Sequence, residues 1–125
     1  VSNPLDSVRQ AASCQDILTM QQEAAAVTMK DEILAYITRL CIASREYPMV
    51  ELGISPRGAI AVSRMARACA YLHGRDYVVP EDVRGVFVDV CAHRILLSQK
   101  AKAAHLTART VLEQILEEVN EPYHG

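Results

Sequence analysis

Arg57 is the side chain of this sequence whose type and position best suit a ligand. It follows Gly53-Ile54-Ser55-Pro56, which predicts a helix start, since serine is a favoured N-cap and proline fits the first helical position. The positive end of a helix dipole disfavours a cation. The same end leaves roughly three or four backbone N–H groups unpaired, which can hold an anion, and a guanidinium matches phosphate. The pattern leaves two interpretations open, an exposed arginine or a phosphate contact.

Two further arginines lie on the same predicted helix. Arg64 is seven residues after Arg57 and lies on the same line along the helix, and Arg67 lies further round. For both we favour a solvated flank of a surface helix, although the sequence alone does not decide whether they are functional. The apolar face that we expect to be buried consists of Gly58, Ala61, Val62, Met65, Ala68, Cys69 and Leu72.

The sequence contains no catalytic motif and no recognisable metal site. Neither the G-x-x-x-x-G-K-[ST] phosphate loop nor the G-x-S-x-G nucleophile motif occurs. The four histidines lack ligand spacing, and Cys91 and His93, two residues apart on one helix, point to different sides. The four cysteines include no Cys-x-x-Cys pair and are expected to be free thiols. We therefore predict no catalytic residue and no metal ligand in this chain.

Composition excludes several classes of protein. Half of the 125 residues are hydrophobic and 22% are charged, which is typical of a globular domain and not of a disordered chain. The net charge of −2 gives no electrostatic case for binding nucleic acid or an anionic membrane. No apolar run approaches the ~20 residues that span a bilayer. We predict one domain with a sizeable core and with neither a membrane nor a nucleic acid as partner.

Helix start and stop signals divide the chain into about five helices. They predict helices over about residues 13–26, 28–47, 55–73, 80–94 and 107–121. Residues 48–54 are predicted to be a loop, and the segment after Arg94 irregular or briefly extended. Short strands are expected at most at Val27–Met29, Tyr77–Val79 or Ile95–Leu97. The predicted fold class is all-α, a compact bundle of about five helices with at most very short strands.

Several motifs, taken in order, resemble the C-terminal helical lid of MoxR-type AAA+ ATPases. They are Gly53-Ile54-Ser55-Pro56-Arg57, Gly74-Arg75-Asp76-Tyr77-Val78, Pro80-Glu81-Asp82-Val83 and His93-Arg94. The segments NPLDSV and LTARTVLEQILEEV also fit, so the resemblance covers nearly the whole chain. Lids of magnesium-chelatase ATPase subunits are related to this family. The resemblance gives no role for the His93-Arg94 pair.

The resemblance implies a nucleotide-sensing role. In this family the arginine of Ser-Pro-Arg is similar to the sensor 2 residue of AAA+ proteins, which reaches the γ-phosphate of ATP. Arg57 is therefore the expected ATP-binding residue, with Ser55 and Pro56 setting its position. Residues 1–12 are expected to be a linker from a preceding AAA+ core, and residues 13–125 the lid. That core would supply most of the contacts to ATP and Mg²⁺, so the lid alone is expected to hold no cofactor and to hydrolyse nothing, whereas the full-length parent is expected to be an ATPase.

The resemblance also implies partners. The first partner of the lid is the AAA+ core of the same chain. Family members form homo-oligomeric rings, typically hexamers, and resemble chaperone-like remodelers that mature metalloproteins or complexes, often beside von Willebrand factor A-domain proteins. The parent is expected in the cytoplasm. The client protein, the ring size and any oligomerisation of the isolated lid do not follow from the sequence.

A free-standing helical binding module is the alternative function. Such a module could be a helix-turn-helix DNA reader that uses Arg57, Arg64, Arg67 and Arg75. A DNA reader should carry an excess of positive charge on one face. The slightly acidic net charge of this chain counts against that function.

Overall fold

Six α-helices and one two-stranded sheet make up the part of the chain that the computed structural model describes, residues 14–122, with side chains from residue 18 onward. The helices are α1 (Cys14–Ala25), α2 (Asp31–Glu46), α3 (Pro56–Leu72), α4 (Pro80–Cys91), α5 (Gln99–Ala103) and α6 (Ala108–Glu118). The strands are β1 (Val50–Leu52) and β2 (Leu96–Leu97). The all-α prediction with very short strands is therefore confirmed. Residue 13, at the predicted start of the first helix, lies outside the described residues.

The core lies where α3 packs against α4, α2 and α1, with α6 closing it against α2 and α4. Helix α3 buries a row of small residues four apart, Gly58, Val62, Ala66 and Ala70. Small side chains let the neighbouring helix axes approach closely. The larger apolar side chains of the core come from the other helices: Ile33, Tyr36, Ile37, Leu40, Val83, Phe87, Val111, Leu112 and Ile115.

The predicted buried face of α3 was partly wrong. Met65 and Leu72 are exposed, by 48% and 75%, whereas Ala66 and Ala70 are fully buried. An alanine-rich helix offers more than one weakly apolar face, and the face with the smallest side chains is the one on which α4 packs. Residue hydrophobicity alone therefore selected a face rotated away from the buried one.

The sheet joins two segments that are far apart in the sequence. Val50 pairs with Leu97 and Leu52 with Leu96 in antiparallel orientation. The paired residues are two positions apart on β1 but adjacent on β2, so β1 contains one extra residue. Val50 and Leu97 are buried, and Leu52 and Leu96 face outward. The extended segment near residues 95–97 was predicted, but the prediction of a loop over 48–54 was wrong for Val50–Leu52, which form β1.

Thr28 is a bridge residue and not a helix cap. Its N–H donates to the Asp76 carbonyl over 2.8 Å, and its carbonyl accepts from the Val78 N–H over 2.9 Å. Thr28 thereby forms an isolated parallel bridge with Tyr77, and α2 begins only at Asp31. The predicted short extended segments at 27–29 and 77–79 are confirmed, while the predicted helix start at Thr28 is three residues too early.

Local signals correctly predicted most helix ends. Gly74, with φ of +76°, follows α3, and the N–H of Arg75 donates to the Ala70 carbonyl over 2.9 Å, which closes a Schellman-type end. Thr107 Oγ1 accepts the Thr110 N–H and caps α6 as predicted. The extra helix, α5, forms where the sequence predicted an irregular segment, and Ser98 caps it by accepting the Ala101 N–H.

Within residues 14–122, none of the helices combines the length and apolar character that crossing a membrane requires.

Candidate functional site

Arg57 lies at the second position of α3, directly after the Pro56 that begins the helix. Ser55 is the N-cap in extended geometry, and its Oγ accepts the Gly58 N–H over 3.3 Å. Pro56 has no N–H, and the Gly58 N–H is already used. The helix N-terminus therefore has fewer free backbone N–H donors for an anion than the roughly three or four that the sequence predicted. Any anion contact here depends mainly on the arginine side chain.

The Arg57 side chain is exposed. Among the described residues, no hydrogen bond and no ion pair involves its guanidinium. Ser55 and Pro56 beside it are exposed as well. The guanidinium is thus open to approach, with all of its donors available to a ligand.

The segment before Arg57 is fixed to the last turn of α2. The Ile54 N–H donates to Ser44 Oγ over 2.9 Å, and the Ile54 carbonyl accepts from Arg45 Nε over 2.9 Å. Ser44 is fully buried, and its hydroxyl donates to the Cys41 carbonyl over 2.6 Å. Ile54 is itself fully buried. These bonds pin the residue that delivers the Ser55 cap, and hence the base of Arg57, to the core.

Gly53 fits against α2 because it has no side chain. A Cβ at Gly53 would lie 2.7 Å from both the Cα and the N of Arg45, which real Cβ atoms do not tolerate. The Gly53 in the motif therefore has a packing role. The bond between Ser44 and Ile54 was not predicted from the sequence. A serine among apolar positions of a helix could have indicated this bond, because a buried hydroxyl needs a hydrogen-bond partner.

Arg94 lies over the first turn of α3. Gly58 is buried, and a Cβ at that position would be 2.7 Å from Ile54 Cγ2 and 3.5 Å from Arg94 Cδ. The Arg94 side chain is exposed, and its Nε donates to the Val90 carbonyl over 3.2 Å. The structure thus brings a second arginine, from the segment after α4, next to the turn that carries Arg57.

The other arginines near α3 differ from one another. Arg64 is exposed, with no bond among the described residues, as expected of a solvated flank. Arg67 is half-buried, and its Nε donates to the Val27 carbonyl over 3.2 Å, so the prediction of a solvated flank was wrong for it. Arg75 pairs with the buried carboxylate of Asp82. The DNA-reading alternative therefore loses two of its four arginines to internal contacts.

A Cys69–His73–Asp82 cluster lies at the opposite end of α3. One potential ligand atom from each residue lies within 4.8 Å of the others, a grouping that the sequence spacing did not indicate. The Asp82 oxygens are already used, because one accepts the Val79 N–H over 2.9 Å and the other pairs with Arg75. Burial, followed by a hydrogen bond to Asp82, raises the pKa of the Cys69 thiol and so disfavours its thiolate. The cluster fits a helix cap better than a metal site.

Comparison with known proteins gives one consistent result. A sequence model of the family described as the AAA lid domain matches residues 42–115, which include Arg57 and Arg94. The Bacillus subtilis protein YeaC is 34% identical over 121 residues, which cover 97% of this chain and 38% of YeaC. Chaperone MoxR1 of Mycobacterium tuberculosis is 32% identical over 123 residues, 91% of this chain and 33% of MoxR1.

A solved structure shares the fold. It is a Cytophaga hutchinsonii protein described as a candidate ATPase, with a TM-score of 0.82 and 35% identity. The match covers 87% of this chain and 36% of that protein. The chain therefore spans only about a third to two-fifths of the length of these relatives.

Proposed function

Because the chain belongs to the AAA lid domain family, in the form found in MoxR-type AAA+ proteins, we propose that it senses the terminal phosphate of ATP for a nucleotide-binding core of the same protein. Arg57 contacts the γ-phosphate, while Ser55 and Pro56 set where its side chain begins. The observation that carries this proposal is the exposed guanidinium of Arg57, which has no partner among the described residues and stands on a helix start pinned to the core.

The unpartnered guanidinium of Arg57 and the anchored backbone that carries it both favour ligand binding. An arginine already paired inside its own domain would have to break that pair, and the loss would offset the new contact. A side chain on a pre-formed helix start loses less entropy on binding than one on a mobile loop. An arginine fork can then donate two parallel hydrogen bonds to phosphate oxygens.

The anchoring bonds also supply a route by which the phosphate contact moves the lid. Removal of the terminal phosphate removes the Arg57 contact, so the lid contributes to the difference in binding free energy between ATP and ADP through this residue. Ile54 links the base of Arg57 to Ser44 and Arg45 of α2. A displacement of Arg57 is therefore transmitted to α2 and the hydrophobic core of the lid, and the lid moves as one body.

Arg57 alone does not form a complete nucleotide site. ATP and Mg²⁺ are bound mainly by the nucleotide-binding core domain, which also carries out hydrolysis. The lid by itself is therefore no enzyme. We propose that the full-length protein is a cytoplasmic AAA+ ATPase that assembles into a ring, typically a hexamer. Its work would be chaperone-like remodelling in the maturation of metalloproteins or complexes, beside a von Willebrand factor A-domain partner. The chaperone name of one relative and the ATPase description of another support this assignment.

The test is Arg57→Ala in the full-length protein, with Arg64→Ala as the matched control. Arg64 is also exposed, lies seven residues further along α3 and has no bond among the described residues. We expect Arg57→Ala to lower kcat/KM for ATP by about ten- to hundredfold, which corresponds to about 1.5–3 kcal/mol of lost phosphate interaction. Arg64→Ala should stay within about twofold of the wild type.

Thermal unfolding of both variants provides the control for folding, since neither change removes an internal contact. An Arg57→Ala enzyme that hydrolyses ATP at the wild-type rate would reject the assignment of Arg57. Equal losses in both variants would point instead to a general effect of charge on this face.

A further inference from the structure

The position of Arg94 is the feature of the site that the proposed function does not use. Its Cδ lies against the first turn of α3, 3.5 Å from the position that a Cβ at Gly58 would take. Gly58 directly follows Arg57 in the sequence. A larger residue at position 58 would meet both Ile54 and Arg94. The glycine thus keeps open the space over which Arg94 lies.

Arg57 and Arg94 have one electrostatic property in common. Both side chains are exposed, and neither forms an ion pair with any carboxylate within residues 18–122. Arg94 Nε donates a hydrogen bond to the Val90 carbonyl. That bond orients the side chain, and its two terminal nitrogens stay available for a ligand.

From this placement we propose that Arg94 is a second phosphate-contacting residue, which acts with Arg57 as a two-arginine clamp on the polyphosphate of the nucleotide. The inference rests on the proposed function. The ligand class is a polyphosphate, because two cations without a carboxylate partner, one carried by the first turn of α3 and one lying against it, suit an anion that presents several charged oxygens. The helix end contributes little, since its donors are largely absent or used, so the clamp depends on the two guanidinium groups.

The clamp also gives a role to the order of elements after α4. Arg94 lies two residues before β2, and β2 pairs with β1, which precedes the Arg57 segment. The sheet therefore holds the backbones on which both arginines are carried. In the proposed clamp, Arg57 from α3 and Arg94 from the β2 side both contact one anion, which fixes its position better than a single contact does.

A purely structural role of Arg94 makes a different prediction. Its stem covers Gly58 and its Nε bonds the Val90 carbonyl, so it could act only by packing. Arg94→Met keeps an apolar stem of similar length and removes the charge. Arg94→Lys keeps both stem and charge but loses the planar fork. Comparing these two variants separates packing from phosphate contact.

The experiment measures the dissociation constants of a non-hydrolysable ATP analogue and of ADP for the full-length protein. We expect Arg94→Met to lower the preference for the ATP analogue over ADP by about tenfold, Arg94→Lys by about threefold or less, and the control Arg64→Met by less than about twofold. All variants should show nearly wild-type unfolding temperatures.

Arg57→Ala in the same assay distinguishes the two proposals. If Arg57→Ala lowers the preference for the ATP analogue and Arg94→Met does not, the clamp is wrong and the proposed function stands. If Arg57→Ala leaves the preference unchanged, the proposed function fails, and the clamp fails with it. An Arg94→Met variant that changes only the unfolding temperature assigns Arg94 a packing role and overturns the clamp.

Discussion

At the beginning of α3 Arg57 precedes Gly58, and after its end Gly74 precedes Arg75, so the two ends carry the same residue types in reverse order. At the first end the glycine is buried under neighbouring side chains and the arginine has no partner among the described residues. At the second end the glycine has a positive φ with open space around it, and the arginine pairs with buried Asp82. An arginine enclosed with its own carboxylate stabilises the fold, whereas one without a carboxylate is available to a ligand.

The pairing at the second end extends into a capping role. Asp82 accepts the Val79 N–H and holds Arg75 with its other oxygen, so one carboxylate joins the end of α3 to the start of α4. The first end is held instead by Ser44 and Arg45 through Ile54, without any ion pair. Hydrogen bonds without a carboxylate thus fix the end that carries Arg57, and an ion pair fixes the other end.

Gly53→Ala should have the largest effect on stability, because it acts on the anchoring of the first end. The new methyl group would lie 2.7 Å from backbone atoms of Arg45, which cannot rotate away. We expect a loss of about 3 kcal/mol in the free energy of unfolding in urea. Gly85→Ala is the control, since no atom lies within 4 Å of a Cβ in this exposed helical position, and it should gain about 0.5–1 kcal/mol. Equal effects of the two changes would contradict the packing role of Gly53.

Asp82→Ala should have the next largest effect, and at the second end. It removes the cap on the Val79 N–H and the partner of Arg75, and we expect about 2 kcal/mol of lost stability in the same measurement. In the full-length protein, ATP hydrolysis per folded molecule should change little, because the second end lies outside the proposed nucleotide contact. A loss of turnover without a loss of stability would break the distinction between the two ends.

Arg57→Ala should have the smallest effect on stability, and of opposite sign. Removing a cation from the positive end of a helix relieves an unfavourable dipole interaction, so we expect a gain of about 0.5 kcal/mol. The same change is expected to reduce ATP hydrolysis. A variant that is slightly more stable and much less active would show that Arg57 lowers the free energy of unfolding but is needed for activity. A clear loss of stability would instead show an internal partner of Arg57.

The sequence predicted the features that depend on neighbouring residues. The Ser55-Pro56 start of α3, the Pro80 start of α4 and the Thr107 cap each follow from side chains within four positions of the bond they make. Gly74 likewise marks the end of α3 through its own backbone freedom. Local signals were sufficient to place the base of Arg57, and the resemblance added its expected role.

Features that depend on distant residues were missed. The pairing of Val50 with Leu97 spans nearly fifty residues. A strand of three residues is too short for its alternation of apolar and polar residues to predict this pairing. The Arg67 bond to the Val27 carbonyl and the passage of Arg94 over Gly58 also arise only in the folded chain. The buried face of α3 was misjudged because alanine is compatible with both faces and packing selected one.

The irregular pairing of the small sheet has a consequence for how such lids diverge. Glu51 is the extra residue between Val50 and Leu52, which pair with the adjacent residues Leu97 and Leu96. Deleting one residue here would make the ladder regular and shift the start of α3 by about 3.3 Å relative to the strand that follows Arg94. An insertion or deletion at this position would therefore change the spacing between the two arginines while leaving both in the sequence.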